Sequence, residues 1–408
     1  MFSTPSLTRT GSLFSSNPFL LYLGSRSLSE YSYQIATVAM GWQIYELTGS
    51  AFQLGMVGLV QFIPSALLVF AAGHAADRYD RRRVLQICQT CEGLIAAFLA
   101  WGTFAGWLDA TEIFVALTLF GITAAFEAPA GSALLPGIAP EGMLQRATAI
   151  SSGAYQAAAI SGPALGGLAY VIAPGAPYVL MAIFSASAGL LSSMIEMRDT
   201  RITEETPTFD ELFAGVRFIR QNRAILGTIS LDLFAVLLGG ATALLPIYAH
   251  DILQTGPWGL GVLRAAPALG ALGMTAVLAR NAVTDRVGLR MFQAVIVFGV
   301  ATVLFALSHL LWLSVLALVI MGAADMVSVV IRNSLVQLAT PDAMRGRVGA
   351  VNFLFINASN QLGQFESGLT AALLGAMPAA VLGGLGTVAV ALLWMHLFPS
   401  LRNVERLE

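Results

Sequence analysis

The sequence predicts an all-α membrane protein: twelve transmembrane helices in two six-helix, pseudo-symmetric halves. Three observations carry this prediction. Of the 408 residues, 57% are hydrophobic and only 11% are charged, against about 25% charged in ordinary soluble domains. With a mean hydropathy of +0.76, a water-soluble globule would lack a polar coat. A bilayer-spanning helix needs about 20 apolar residues, so 408 residues hold twelve spans with short connections and little else. The third observation is a set of loop residues that recur at a fixed offset between the two halves. The same composition excludes other classes. A net charge of -2 offers no basic face for a nucleic acid, and the hydrophobicity excludes a disordered chain. All 21 basic residues are Arg and none is Lys.

Apolar runs broken by turn residues place the spans at about 18–46, 52–73, 84–106, 112–136, 144–172, 177–197, 224–250, 258–280, 289–309, 312–337, 345–375 and 378–398. The first follows a Ser/Thr-rich stretch with no small-residue cleavage site, so it is expected to act as its own insertion signal. The turns after spans 1, 3, 5, 7, 9 and 11 contain no Arg. Those after spans 2, 4, 8 and 10 hold Arg81, Arg82, Arg83, Arg146, Arg286, Arg290, Arg345 and Arg347. Basic loops stay in the cytoplasm, which predicts cytoplasmic termini. Span 6 is followed by the longest connection, 198–223, with Arg198, Arg201, Arg217 and Arg220. Within it Phe209, Leu212, Phe213, Val216 and Ile219 recur at helical spacing, the pattern of an amphipathic helix on the membrane surface; a plain linker is the alternative. This connection divides an N-terminal half, 1–197, from a C-terminal half, 224–408.

The halves read as duplicates. Pro140, Glu141, Met143 and Arg146 recur 201 positions on as Pro341, Asp342, Met344 and Arg347. Asp77, Arg78 and Arg82 recur 208 positions on as Asp285, Arg286 and Arg290. Two six-span repeats with a site at their interface is a secondary-transporter arrangement. On the residues alone, Gly73 permits close backbone approach in a tight turn, and Asp77 is expected where the third helix begins, its carboxylate meeting free N–H groups and the helix dipole. Pro163 is expected to bend its span, while Gly162, Gly166 and Gly167 give a small-residue face for a neighbouring helix.

The segment Gly73–Arg83, G-H-A-A-D-R-Y-D-R-R-R, resembles the signature loop between helices 2 and 3 of the major facilitator superfamily; Gly73, Asp77, Arg78, Arg81 and Arg82 fit, and Asp80 stands where the family has Gly. Gly162, Pro163, Gly166 and Gly167, in G-P-x-x-G-G, resemble in part the motif of exporters in that superfamily. L-T-G-S at 47–50, A-L-L-P at 133–136 and T-P-D-A-M-R-G-R at 340–347 resemble the branch that holds the enterobactin exporter and macrolide-efflux proteins. The resemblance implies transport by alternating access, a gate formed by the signature loop, and a central cavity lined by spans 1, 4, 7 and 10.

Charge inside the spans is the sharpest signal, because an ionised group near a helix centre costs roughly 2.5 to 3.5 kcal/mol. Glu30 and Asp232 lie 202 positions apart on spans 1 and 7, and Glu127 and Asp325 lie 198 apart on spans 4 and 10. Glu366 on span 11 sits among Asn357, Asn360, Gln361 and Gln364. Glu30, Asp232, Asp325 and Glu366, then Glu127, are the predicted proton or substrate sites, with Arg26 and Arg332 as the cations among them. The alternative pairs Arg26 with Glu30 and Arg332 with Asp325 as structural ion pairs, as their helical spacing allows. No cofactor is expected: there is no G-x-x-x-x-G-K-[ST] and no G-x-S-x-G. Cys88 and Cys91 have no second pair for a metal, and the four His are scattered.

The expected partners are a small-molecule substrate, protons as coupling ion and membrane lipid, in a monomer. The leading reading is a secondary active, proton-coupled exporter of a small amphipathic solute, a siderophore or a drug. Uptake by the same fold, and a transport-inactive receptor or assembly subunit, stay open, since fold alone does not give function.

Overall fold

A computed structural model of the chain describes residues 13–140, 142–196, 209–281 and 285–406. Glu141, the N-terminal Ser/Thr-rich stretch, and Arg198 and Arg201 of the linker lie outside the described residues. Among the described residues the protein is helical, with no β-strand. Nine helical segments among the described residues are long and apolar enough to cross a bilayer, so the chain is a multi-pass membrane protein.

The first set of helices is α1 (Asn17–Thr48), α2 (Ala51–Arg78), α3 (Arg81–Ala105), α4 (Ala110–Ile138), α5 (Leu144–Ile172) and α6 (Ala176–Ser193). Local chemistry sets their ends. Gly49 and Gly106, at φ 58° and 73°, close α1 and α3 in the left-handed region that glycine enters without steric cost. Ser50 accepts the Gln53 N–H to start α2, and Asp109 and Glu112 form a reciprocal capping box at the start of α4.

After the linker helix α7 (Phe209–Gln221), the second set is α8 (Arg223–Leu238), α9 (Leu245–Ile247), α10 (Gly256–Arg280), α11 (Val287–Leu307), α12 (Leu311–Leu338), α13 (Asp342–Leu374) and α14 (Ala376–Leu397), closed by the short α15 (Pro399–Arg402). The helices α1, α5 and α13, at 32, 29 and 33 residues, have the length to span but fall outside the nine apolar segments. All three contribute to the cavity described below, which accounts for their polar residues.

The seventh predicted span, 224–250, falls within one apolar segment, Arg223–Ile252, and its helix is interrupted: α8 stops at Leu238 and is followed by a 3-10 turn at 241–244, α9 and a π-helical turn, Tyr248–Ile252. Gly239 and Gly240 mark the break, and a Cβ on Gly240 would come within 2.5 Å of the Gly363 carbonyl oxygen of α13. The close approach demands glycine, and glycine weakens the helix there. The linker helix α7 packs part of its surface against the second set. Ile219 is buried in a cluster with Ile225, Ile229, Val336, Val348 and Val351, against which Val216 and Phe218 pack.

Separate apolar cores fill the two sets. Ile35, Met40, Leu99, Ile113 and Tyr178 belong to a core of the first, and Leu231, Met291, Phe292 and Ile331 to a core of the second. A third cluster joins them at one end, where Trp42, Tyr45, Leu54 and Tyr170 meet Leu244, Tyr248, Leu260, Phe305 and Leu318. That shared core leaves the opposite end, with the α2–α3 and α4–α5 turns, free to part.

Candidate functional site

Between the two sets lies a cavity of about 2130 Å³, walled by α1, α2, α4 and α5 and by parts of α10, α12 and α13. Gly73, Pro136 and Leu144 line it, and these residues stand at the helix ends that carry the Arg-rich turns. The cavity therefore opens at the Arg-rich end. Arg26 and Glu30 bring charge to its wall, and Asn357 and Gln361 of α13 bring amides. Glu30 Oε1 accepts a hydrogen bond from Gln34 Nε2 at 2.7 Å. Tyr33, Phe62, Tyr155 and Phe355 add aromatic surface. A mostly apolar concavity with a few convergent polar groups is the usual form of a small-molecule site.

The other end is sealed by backbone against backbone. A Cβ on Gly167 of α5 would strike the Pro257 carbonyl oxygen of α10, and a Cβ on Gly261 of α10 would come within 2.6 Å of the Pro163 carbonyl oxygen of α5. Each helix thus presents a glycine to the other's carbonyl. Gly162 and Gly166 face α1 instead, at Gln34 and Ile35. The four residues of G-P-x-x-G-G therefore bind α5 to its own set on one side and to the opposite set on the other. Gly55 of α2 meets Gly368 of α13 in the same manner, with 2.8 Å from a Cβ on Gly55 to the Gly368 Cα. Side chains finish the seal. Tyr45 Oη donates to Asp251, His250 Nδ1 lies 2.6 Å from the same carboxylate, and the Trp42 and His250 ring centroids are 5.3 Å apart.

At the Arg-rich end the signature-loop residues are placed differently from expectation. Asp77 lies in the last turn of α2, not at the start of α3, and Arg78 is the exposed last residue of α2. Asp80 takes the capping role: it accepts the Arg82 N–H at 3.0 Å and pairs with the Arg82 guanidinium at 2.7 Å. Arg81 donates to the Ala133 carbonyl and Arg82 to the Ile195 carbonyl, each at 2.7 Å. These two side chains tie the turn to the chain at α4 and beyond α6. The Arg82 guanidinium holds the Asp80 carboxyl below its ordinary value of 3.8. A depressed value means that the stabilisation is complete above the ordinary value and is lost as pH falls through the lower folded one. Asp80→Ala is therefore expected to cost about 0.5 to 2 kcal/mol at neutral pH through loss of the cap. Thermal unfolding of the purified protein checks this: the gap between wild type and variant should narrow on acidification.

The intramembrane charges pair across helices, not along them. Arg26 bonds Glu127 of α4 at 2.8 Å, whereas Glu30 takes Gln34 as its hydrogen-bond partner. Arg332 of α12 pairs with Asp232 of α8, so the ion pairs formed are Arg26–Glu127 and Arg332–Asp232, not the Arg26–Glu30 and Arg332–Asp325 pairs of the alternative reading. The two pairs occupy related places with their charges exchanged. Asp232 follows Arg26 by 206 positions and Arg332 follows Glu127 by 205.

Of the predicted carboxylates only Glu30 lines the large cavity. Asp232 and Asp325 line a separate void of about 20 Å³ with Ser328. Glu366 accepts from Thr370 Oγ1 at 2.8 Å, one turn along α13. Two buried polar residues on α3, Gln89 and Glu92, escaped the sequence reading, which looked for charge on spans 1, 4, 7, 10 and 11. A carboxylate midway along an apolar span was the signal available for Glu92.

The comparisons with known proteins agree with this architecture. The chain is 27% identical over 370 residues to the multidrug efflux pump Tap of Mycobacterium tuberculosis (strain ATCC 25618 / H37Rv), covering 86% of each. It is 28% identical over 375 residues to the enterobactin exporter EntS of Escherichia coli O81 (strain ED1a), covering 89% of this chain and 84% of that one. A solved bacterial homologue of the iron transporter ferroportin, in an inward-facing state, superposes with a TM-score of 0.70 over 96% of this chain and all of its own, at 18% identity. Residues 23–364 match the family model of the Major Facilitator Superfamily, and with the two-set helical fold, the cavity between the sets and the signature turn in place, the chain belongs to that superfamily.

Proposed function

We propose that the protein is a secondary active exporter of small amphipathic solutes, drug-like or siderophore-like, in a bacterial inner membrane, with twelve crossings and both termini cytoplasmic. The observation that carries the reading is the cavity of about 2130 Å³, open at one end and shut at the other by the Gly167–Pro257 and Gly261–Pro163 contacts. One open end and one closed end is a single state of an alternating-access cycle, and the concentration of Arg at the open end supports a cytoplasmic position for that end. The efflux-pump and exporter relatives support the direction. Proton coupling is supported by the carboxylates buried in the helices: a proton moving inward down 100 mV releases about 2.3 kcal/mol per charge.

The test is expression in a bacterial host stripped of its own exporters, followed by transport into everted vesicles with ethidium and enterobactin as probes. Uphill accumulation of either probe, abolished by an uncoupler, is the expected result. Accumulation only in right-side-out vesicles would establish uptake instead, and no movement in either orientation would overturn transport of these solute classes. In the same assay Asp77→Asn, in the last turn of α2, is expected to lower the rate severalfold while the amount of protein in the membrane holds. An unchanged rate would remove Asp77 from the gate.

A further inference from the structure

Behind the cavity wall, α1, α3 and α4 enclose a cluster in which two carboxyl groups share one cation. Glu92 is 6% exposed and Glu127 is 7% exposed, and Glu92 follows Gln89, which bonds Glu127, by three positions on the same buried face of α3. Glu127 Oε1 already receives Arg26 Nη1 at 2.8 Å, Ser29 Oγ at 2.7 Å and Gln89 Nε2 at 3.1 Å. The Gln89 amide is held in turn by Ser25 and Ser192. The charged and titratable groups that face the pair are Arg26, Tyr22 and Glu30 from α1 and Cys88 from α3. Thr123 of α4 and Ser192 of α6 offer only neutral hydroxyls. Arg26 is the one guanidinium among them.

The charge count follows. Two ionised carboxylates against one guanidinium leave a net negative charge in a water-poor site, where like charges repel far more strongly than in bulk water. A single proton on one carboxyl removes the repulsion, turns that carboxyl into a donor to the other, and leaves Arg26 balanced against the remaining charge. Arg26 also reaches the cavity, with its side chain 30% exposed. It is therefore the group through which the buried pair senses what occupies the cavity.

We propose that Glu92 and Glu127 form one proton-binding site that holds a single shared proton in the state described here, with Arg26 setting its occupancy. The idea rests on the proton-coupled reading above for its use in transport, but not for its existence. Drawing Arg26 towards Glu30, or towards an acidic group on a solute, removes the counter-charge and strengthens proton binding at the pair. By linkage, a proton bound there frees Arg26 to the same extent. Solute and proton thus communicate without touching.

The experiment is infrared spectroscopy of the purified full-length protein in lipid nanodiscs, with no solute and no gradient. The carboxylic-acid C=O stretch is read at neutral pH in wild type, Glu92→Gln, Glu127→Gln, the double variant and Arg26→Gln. Each single Glu→Gln change is expected to remove one carboxyl equivalent of the band. The double change should remove the same single equivalent, because the proton is shared. Arg26→Gln should add one equivalent, which a merely structural arginine would not do. Gln copies the shape of a protonated Glu, so the variants should remain monodisperse, and Arg26→Gln is an independent arm if either carboxyl variant fails to fold. Loss of two equivalents in the double variant, or no loss in both singles, overturns the shared site. Retained uncoupler-sensitive transport with an unchanged band sinks this site and leaves the exporter reading standing, whereas the shared band without uncoupler sensitivity in the vesicles does the reverse.

Discussion

Gly167→Leu is expected to hold the sealed end of the molecule open and to cut transport about tenfold or more, because overpacking a close contact costs about 1 to 3 kcal/mol and each 1.4 kcal/mol is a factor of ten in population. The glycine has no room to give: a Cβ there would strike the Pro257 carbonyl, which is backbone at the start of α10 and not the far end of a flexible side chain. Neither partner can rotate away, so the two helices must separate, and with them the first and second sets. Only the conformation with this end closed is penalised. The check is a distance measurement between spin labels at Leu47→Cys and Gln254→Cys, on a background with Cys88 and Cys91 replaced by Ser. The distribution should move to longer distances in Gly167→Leu. The same distribution with normal transport would show that the contact is incidental packing.

The second large effect is expected at the Arg332–Asp232 pair. Arg332 is 4% exposed and Asp232 is 9% exposed, and Arg332 Nε has no hydrogen-bond partner, so the guanidinium depends on that carboxylate. Removing one partner of a buried pair costs about 3 to 5 kcal/mol, since the other is left as an uncompensated charge, whereas removing both is often close to neutral. Asp232→Asn should therefore lower the unfolding temperature sharply, and Asp232→Asn with Arg332→Gln should recover most of the loss. Unfolding of the purified variants in detergent gives the comparison directly. A double variant as unstable as the sum of the singles would mean that the two side chains act separately. Asp325 borders the same small void as Asp232, and a mild single variant that becomes severe on adding Asp325→Asn would show it taking over the cation.

Those pairings also mark the boundary of what the sequence made legible. The membrane fold followed from apolar runs of the right length, and the close approach at G-P-x-x-G-G from the absence of side chains, both local properties. Arg26 was weighed against Glu30 because a spacing of four places residues on one helix face. Its partner, Glu127, sits on a helix 101 positions away, and only the packing of α1 against α4 decides between them. Asp77 and Asp80 show the same limit on a smaller scale. Both can cap a helix, and a shift of a few residues in the end of α2 hands the role to Asp80. Glu92 is legible only as a carboxylate in an apolar span, since α3 holds it buried behind the cavity wall. The break after α8 falls inside the predicted span 224–250, and its cause is the backbone of α13 lying against Gly240, which no local pattern encodes.

The size of the cavity has a consequence for selectivity. Sites that enclose a drug-sized ligand measure about 300 to 1,000 Å³, whereas this one measures about 2130 Å³. A solute of that size leaves much of the space to water and touches one wall at a time. Recognition then depends on which patch a molecule prefers, the aromatic surface near Tyr33 and Tyr155 or the amides of Asn357 and Gln361, and less on overall shape. Compounds of unlike structure can reside together, so competition between them should be partial, with each lowering the other's apparent affinity without excluding it.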